Sequence, residues 1–413
     1  MRAHQFSRFW LLWLLVCPGP AAAQARPGIE VLLTDSAHLV AGRRVGLLTN
    51  QTGVDRTGRR TVDLLASAPA VRLTLLFSPE HGLRGTDDRP GPAHTVDSAT
   101  GLPIYNLYGP KQALDSAALD SLDAVLVDLQ DIGARYYTYV STAVILMERA
   151  ARRGKPVVVL DRPNPLGGEA VQGNVREHPA PEQTVVGFLP VPMRPGMTLG
   201  ELLLLANDAL GIHARLVVVP AAGWRRDMYF DATGLPWVKP SPSMPDLESA
   251  IHYPGTCLFE GTNLSVGRGT PFPFQVVGAR WLDAPAIIRW LQSREGGGGK
   301  GEGLDGVELM ADTLTPHAPS DGKYDGVRIN VIRLRVTDRR RYDPTHTAVA
   351  LLAALRAVHP DSFQFVNERF DLLAAGPTLR QAVLAGQAPA AIWCAWGPAL
   401  DEFRAVRRKY LLY

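Results

Sequence analysis

Leu73-Thr-Leu-Leu-Phe77-Ser-Pro-Glu80-His-Gly-Leu-Arg84-Gly85 carries both the fold signal and the chemistry of this chain. The apolar run Leu73–Phe77 has strand length and no polar alternation, the pattern of a strand covered on both faces. A Ser-Pro turn stops it and delivers Glu80, His81 and Arg84 between glycines. These side chains supply acid/base groups and a clamp for an anion or hydroxyl. Alone, the stretch reads equally as a polar surface loop in which Glu80 pairs with Arg84.

The same beat recurs. Strand-length apolar runs stand at Val45–Thr49, Ala124–Asp128 and Pro156–Leu160. Helical patterns fall at Ala113–Asp123 and at Tyr136–Arg153, the latter ending at Gly154 with Arg149, Arg152 and Arg153 near its C-terminus. The sum predicts a doubly wound α/β sheet. Each strand runs into a polar loop: Asn50-Gln-Thr-Gly53, Pro79-Glu-His-Gly82, Gln130-Asp-Ile-Gly-Ala-Arg135-Tyr-Tyr137 and Asp161-Arg-Pro-Asn-Pro165. Ligands of open α/β sheets bind beyond the carboxyl ends of the strands. Four such loops on one edge predict the rim of a pocket.

Residues 1–25 read as an export signal, with Arg2 and Arg8 in the basic region, Phe9–Val16 as the apolar region and small-residue cleavage sites in Ala21–Ala25. The bulky Val16 before Cys17 argues against a lipoprotein site. The mature protein is therefore expected to be periplasmic or secreted and not to be held at the membrane. Removing Arg2 and Arg8 from 43 basic residues leaves 41 against 40 acidic ones. That balance gives no electrostatic case for nucleic acid or for membrane adhesion. Cys257 and Cys394 remain, two thiols that an oxidising compartment could join but too few for a disulfide scaffold. About 390 residues with 46% apolar content are enough for two cores.

Farther along, Thr198 and Glu201 form a capping box that opens a helix over Leu202–Leu210. The stretch Trp237–Pro245 reads as an ordered connecting loop. Tyr253–Thr270 is rich in Gly and polar groups, and reads either as a second ligand-facing loop around Glu260, Asn263 and Arg268 or as a solvated turn region. Gly296–Gly303 reads as a flexible insertion. Strands are expected near Gly306–Leu309 and Val331–Val336, and helices at Thr347–Val358, Thr378–Ala385 and Leu400–Tyr413. The run Arg407-Arg-Lys409 is read as a solvated face.

Several chemistries lack a signature. There is no G-x-G-x-x-G after the first strand, no G-x-x-x-x-G-K-[ST], no H-E-x-x-H, no Cys or His pair at zinc spacing and no G-x-S-x-G. Carboxylates, amides, arginines and aromatics are left, the residue types that bond and stack on sugars. Paired carboxylates are the usual engine of glycoside cleavage. The carboxylate candidates are Glu80, Asp131, Asp161, Glu169 and Glu260.

In order, Gly46–Gly53, Ser78–Gly82, Asp128–Tyr139, Asp161–Pro165, Gly255–Asn263 and Gly267–Thr270 resemble the motifs of the NamZ family of exo-β-N-acetylmuramidases, and the similarity runs from about Val45 to Tyr413. The resemblance implies a Rossmann-like, mostly parallel N-terminal domain (26–252) and a smaller α/β C-terminal domain (253–413). It also implies an active site between them, no cofactor or metal, and release of N-acetylmuramic acid from the non-reducing ends of peptidoglycan fragments or muropeptides. Carried onto this sequence, Glu80 becomes the candidate acid, tuned by His81 and Arg84. Asp131 and Asp161 are candidates for the second carboxylate or for orienting substrate. Arg135, Arg162 and Arg268 suit the lactyl carboxylate of muramic acid. Asn50, Gln130, Asn164 and Asn263 suit acetamido and hydroxyl groups, and Tyr136, Tyr137 and Tyr139 offer stacking faces. One departure stands out: Gln172-Gly173 occupies the place of an expected Glu-Gly pair, with Glu169 three residues earlier. A non-catalytic muropeptide-binding protein, or a hydrolase of another ester or amide using Glu80 and His81, stays open at this stage.

Overall fold

The computed structural model describes residues 24–86, 92–108, 116–176, 184–293 and 303–413. Most of the expected export segment and of the Gly296–Gly303 insertion lies outside the described residues. The strands of the first half are β1 (Arg44–Thr49), β2 (Arg72–Ser78), β3 (His94–Val96), β4 (Pro103–Asn106), β5 (Ala124–Asp128), β6 (Val157–Leu160), β7 (Gln172–Val175), β8 (Pro192–Arg194) and β9 (Leu216–Val219). Seven of them form one sheet in the order β3-β4-β2-β1-β5-β6-β9, parallel throughout except for the edge strand β3. β7 and β8 pair separately.

Continuous apolar runs are what this sheet requires, because both faces are covered. Leu47, Leu126 and Val158 pack on one side against Ile29, Leu32 and Leu65. Leu48, Val125, Val127 and Val159 pack on the other side against Ala143 and Met147 of the helix Thr138–Arg152 and Leu202 and Ala206 of the helix Leu199–Ala209. The second helix has the expected capping box, but it begins three residues earlier than its apolar pattern. The Thr198 hydroxyl accepts from Glu201 N–H and donates to Asp161, so the cap is tied to the end of β6.

The second half adds β10 (Val276–Ala279), β11 (Val307–Leu314) and β12 (Ile329–Val336), an antiparallel sheet in the order β10-β12-β11. The helices Leu247–Thr256 and Pro344–Val358 pack together beside it. They approach so closely that a Cβ on Gly255 would lie 1.9 Å from the Pro344 carbonyl oxygen, so only glycine fits there. Cys257 is buried, Cys394 is exposed and both thiols are free. Among the described residues no helix is long and apolar enough to cross a membrane.

The tail differs from its expected form. Its helix is Gly397–Arg407, a 3-10 turn follows at Arg408–Tyr410, and the final residues run extended over the first half. Arg407 is not a solvated charge: one terminal nitrogen donates to the carbonyls of Gly168, Pro195 and Gly196. Leu412 N–H donates to Glu201, and the Tyr413 hydroxyl donates to Asp161 at 2.8 Å.

Candidate active site

The crevice between the carboxyl ends of β1 and β5, where an open α/β sheet normally holds its ligand, is filled. Arg162 reaches in from the end of β6 and pairs with Asp128 through Nε at 2.5 Å and a terminal nitrogen at 3.0 Å. Thr61 donates to the same carboxylate. The segment Leu235–Pro240 closes the top, held where Gln51 donates to the carbonyls of Lys239 and Pro240. A cavity of only about 10 Å³ remains.

Most of the polar residues on this edge therefore belong to the frame. Asn50 accepts from Thr52 and donates to the Tyr139 hydroxyl. Gln130 donates to the carbonyls of Asp131 and Pro163, and Asn164 donates to Met197 O while accepting from Leu166 N–H. Asp161 is fully enclosed and accepts from Thr198, Gly200 and Tyr413; burial raises its carboxyl to about 6. Asn263 braces Ser362 and Gln364, and Arg84 turns outward to Ser98 and Asp97. Arg135 donates to backbone carbonyls and to Asn174, not toward a ligand. None of these side chains lines the cavity that holds Glu80. Glu169 and Gln172 open onto a separate groove of about 860 Å³ between the 166–232 and 336–342 stretches, away from Glu80.

Asp131 is the most perturbed of the buried carboxyls with a stated value. Its Oδ2 accepts from Gly133 N–H at 2.7 Å, and its Oδ1 has no hydrogen-bond partner among the described residues. Burial raises it to about 7. A pKa raised in the folded state means stability that is complete below about pH 4 and lost as the pH climbs through 7. Asp131→Asn should remove that loss. Compared by urea denaturation, the variant should gain on the wild type between pH 4 and pH 7 and then hold a constant margin. A margin that does not change with pH would show that the carboxyl is ionised throughout.

The cavity that holds Glu80 is about 290 Å³ and lies between the two halves of the chain. Glu80, His81 and Tyr137 line one wall, and Glu260 and Arg268 line the other. Glu80 Oε2 accepts from the Thr138 hydroxyl at 2.6 Å, and Tyr108 stands beside this carboxylate. Burial, with the adjacent Glu80 charge, pushes the Tyr108 phenol above its ordinary value, so it stays a donor. His81 holds φ of 70° in the turn closed by the Gly82 N–H bond to Pro79 O. Such a backbone costs about 1–3 kcal/mol in a non-glycine residue and gathers at functional sites. Among the described residues, Phe274 on the cavity wall shares this conformation. So do Ala318 and Tyr324, which bracket the cavity residues Ser320 and Asp321, and Ala375, just beyond Leu373.

On the opposite wall, the turn Cys257–Gly261 presents Glu260. Arg268 meets it through two nitrogens at 2.6 and 2.9 Å, and Arg369 through one at 3.0 Å. Burial alone would raise this carboxyl, but the two guanidiniums outweigh it and hold Glu260 below the usual range. Burial pushes the neighbouring Cys257 thiol well up, so it is not a nucleophile. Sequence reasoning did not find Tyr108, Thr138, Asp321 or Arg369. Tyr108 follows the short strand β4, a strand-end position like that of Glu80, whereas Arg369 has no local motif around it.

Models of exo-β-N-acetylmuramidase NamZ match the chain in two parts, the N-terminal one over residues 45–248 and the C-terminal one over residues 251–413. The peptidoglycan β-N-acetylmuramidase NamZ of Bacillus subtilis (strain 168) is 38% identical over 394 residues, covering 94% of this chain and 92% of the relative. Among solved structures, a DUF1343 family protein of Bacteroides fragilis NCTC 9343 superposes with a TM-score of 0.83 at 32% identity, covering 95% of this chain and 100% of that one. A second protein of that family and organism gives 0.71 at 26% identity, covering 95% and 99%. Whole-length matches on both parts of the chain, joined to a strand-end glutamate in a sugar-sized cavity, leave one assignment: the chain belongs to the NamZ family of exo-β-N-acetylmuramidases.

Proposed function

We propose that the protein is an exo-acting glycoside hydrolase that removes N-acetylmuramic acid from the non-reducing ends of peptidoglycan fragments, with Glu80 as the acid. The observation that carries the reading is Glu80 itself, held by Thr138 on the wall of a 290 Å³ cavity in a chain of this family. That volume is at the lower end for small-molecule sites and suits one terminal aminosugar, not a bound glycan strand. Glycoside cleavage needs a group to protonate the leaving oxygen and a second carboxylate to direct water or to attack the anomeric carbon. Among the cavity carboxylates, Glu260 is occupied by two arginines, whereas Glu80 and Asp321 have no ion pair with a described residue. The acid and its partner are therefore sought in that pair.

The N-terminal stretch expected as an export signal would place the enzyme where such fragments arise. Ala25 is buried against Trp224 and Met228, so cleavage after Ala23 keeps this contact on the mature chain.

The test is hydrolysis of paired chromogenic substrates. A β-N-acetylmuramide should be cleaved and the matching β-N-acetylglucosaminide should be cleaved at least tenfold more slowly. Tight binding of muropeptides with no cleavage of either would instead mark a binding protein. Cleavage of only an ester or amide substrate would overturn the glycosidase reading.

A further inference from the structure

Two guanidiniums stand at the Glu260 corner of the cavity, and they differ in what they have left to offer. Arg268 bonds Glu260 through Nε and one terminal nitrogen, and the other terminal nitrogen donates to Ser243 and Ser320. Arg369 donates through a single terminal nitrogen to Glu260 Oε2, with no other hydrogen bond to a described residue, and its side chain is 42% exposed. Lys323 adds a third cation, its Nζ donating to the carbonyls of Glu260, Thr262 and Leu264. Set against the carboxylates of Glu260 and Asp321, these three cations leave the corner with one net positive charge, and Arg369 is the member with open donors facing the cavity. That combination fits a carboxylate on the ligand, which a guanidinium binds through parallel N–H bonds.

Arg369 is also held in place from the other half of the chain. It lies on the helix Asn367–Leu373, whose last carbonyls have no partner inside the helix and carry its negative dipole end. Arg176 donates to Leu372 O at 2.7 Å, Arg135 to Leu373 O at 2.9 Å, and Asn174 to Ala374 O at 2.6 Å. Arg135 is itself buried and has no carboxylate among its partners; its terminal nitrogens also donate to Val191 O and to Asn174, and its Nε has no hydrogen-bond partner among the described residues. Two cations and an amide from the first half therefore fix the helix end that projects Arg369 and Leu373 into the cavity.

We propose that Arg369 reads the carboxylate of the acidic sugar in this cavity, and that Arg135, Asn174 and Arg176 position it by gripping the end of its helix. The identity of the sugar rests on the muramidase reading; the residue that senses its charge does not follow from that reading and is new here. Arg369 is the specificity residue, and the three gripping side chains act only through it.

The experiment compares competitive inhibition by N-acetylmuramic acid and by its methyl ester, which differ in the charge of the lactyl group and by one methyl. The wild type should bind the acid at least tenfold more tightly than the ester. In Arg369→Gln that preference should fall to about threefold or less, with the ester constant little changed, and Arg369→Lys should restore part of it. Asn174→Ala should narrow the same acid-to-ester ratio while the protein keeps its cooperative thermal unfolding. Equal weakening of acid and ester in Arg369→Gln would overturn the proposal, as would an unaltered ratio. An unaltered ratio in Asn174→Ala would remove the positioning role. A wild type that cleaves the muramide but does not prefer the acid would sink this inference alone. A wild type that binds neither compound would sink the muramidase reading with it.

Discussion

Glu80→Gln should lower kcat on a β-N-acetylmuramide by roughly 10²–10⁴-fold, the usual contribution of a positioned proton donor. The amide keeps the shape of the side chain and an oxygen that can accept from Thr138, whose hydroxyl lies 2.6 Å from Glu80 Oε2. The turn at His81 and Gly82 is backbone geometry and does not depend on the carboxyl. The loss should therefore appear in turnover, with circular dichroism and melting temperature close to the wild type. Rates within a few-fold of the wild type would take Glu80 out of the acid role and move attention to Asp321.

Arg162→Ala should be costly in the opposite way, through stability and not through chemistry. Arg162 is 5% exposed and its partner Asp128 is 0% exposed, so truncation leaves a carboxylate enclosed without its cation. Breaking a buried pair from one side costs about 3–5 kcal/mol, because the desolvated charge that remains is no longer offset. Thr61 alone cannot replace two guanidinium contacts. Urea denaturation should show the loss as a lower midpoint with the slope unchanged. A double replacement, Asp128→Leu with Arg162→Met, should recover much of it, since an apolar pair of similar volume is often as stable as the ion pair. A single-variant loss under about 1 kcal/mol would show that water reaches Asp128, in conflict with the closed crevice.

The sheet was legible because a buried parallel strand leaves a continuous apolar run, and Val45–Thr49, Leu73–Phe77, Ala124–Asp128 and Pro156–Leu160 all became its strands. The short strands at His94–Val96 and Gln172–Val175 carry no such run and stayed hidden. At the site, Glu80, His81 and Tyr137 were found because each sits in a polar loop after an apolar strand, and Glu260 and Arg268 because the stretch Tyr253–Thr270 is dense in Gly and polar groups. The same signal also gathered Asn50, Gln130, Asp161, Arg162 and Asn164, which satisfy backbone groups and other buried side chains. Filling a crevice and binding a sugar call for the same amides, carboxylates and guanidiniums, so residue type cannot separate the two. Arg369 could not be seen because its meaning comes from contact with Glu260, 109 residues away.

The strap formed by Arg407, Leu412 and Tyr413 bears on how the chain folds. It completes hydrogen bonds of Gly168, Pro195, Gly196, Glu201 and Asp161 across more than two hundred positions of sequence. The two stretches matched separately by family models are thus tied together by these bonds, and we expect them to fold as one unit. Expressed alone, residues 45–248 would expose those acceptors and the buried Asp161 carboxyl. The whole protein should melt in one cooperative transition, and its long-range contacts make slow assembly the expected kinetic signature.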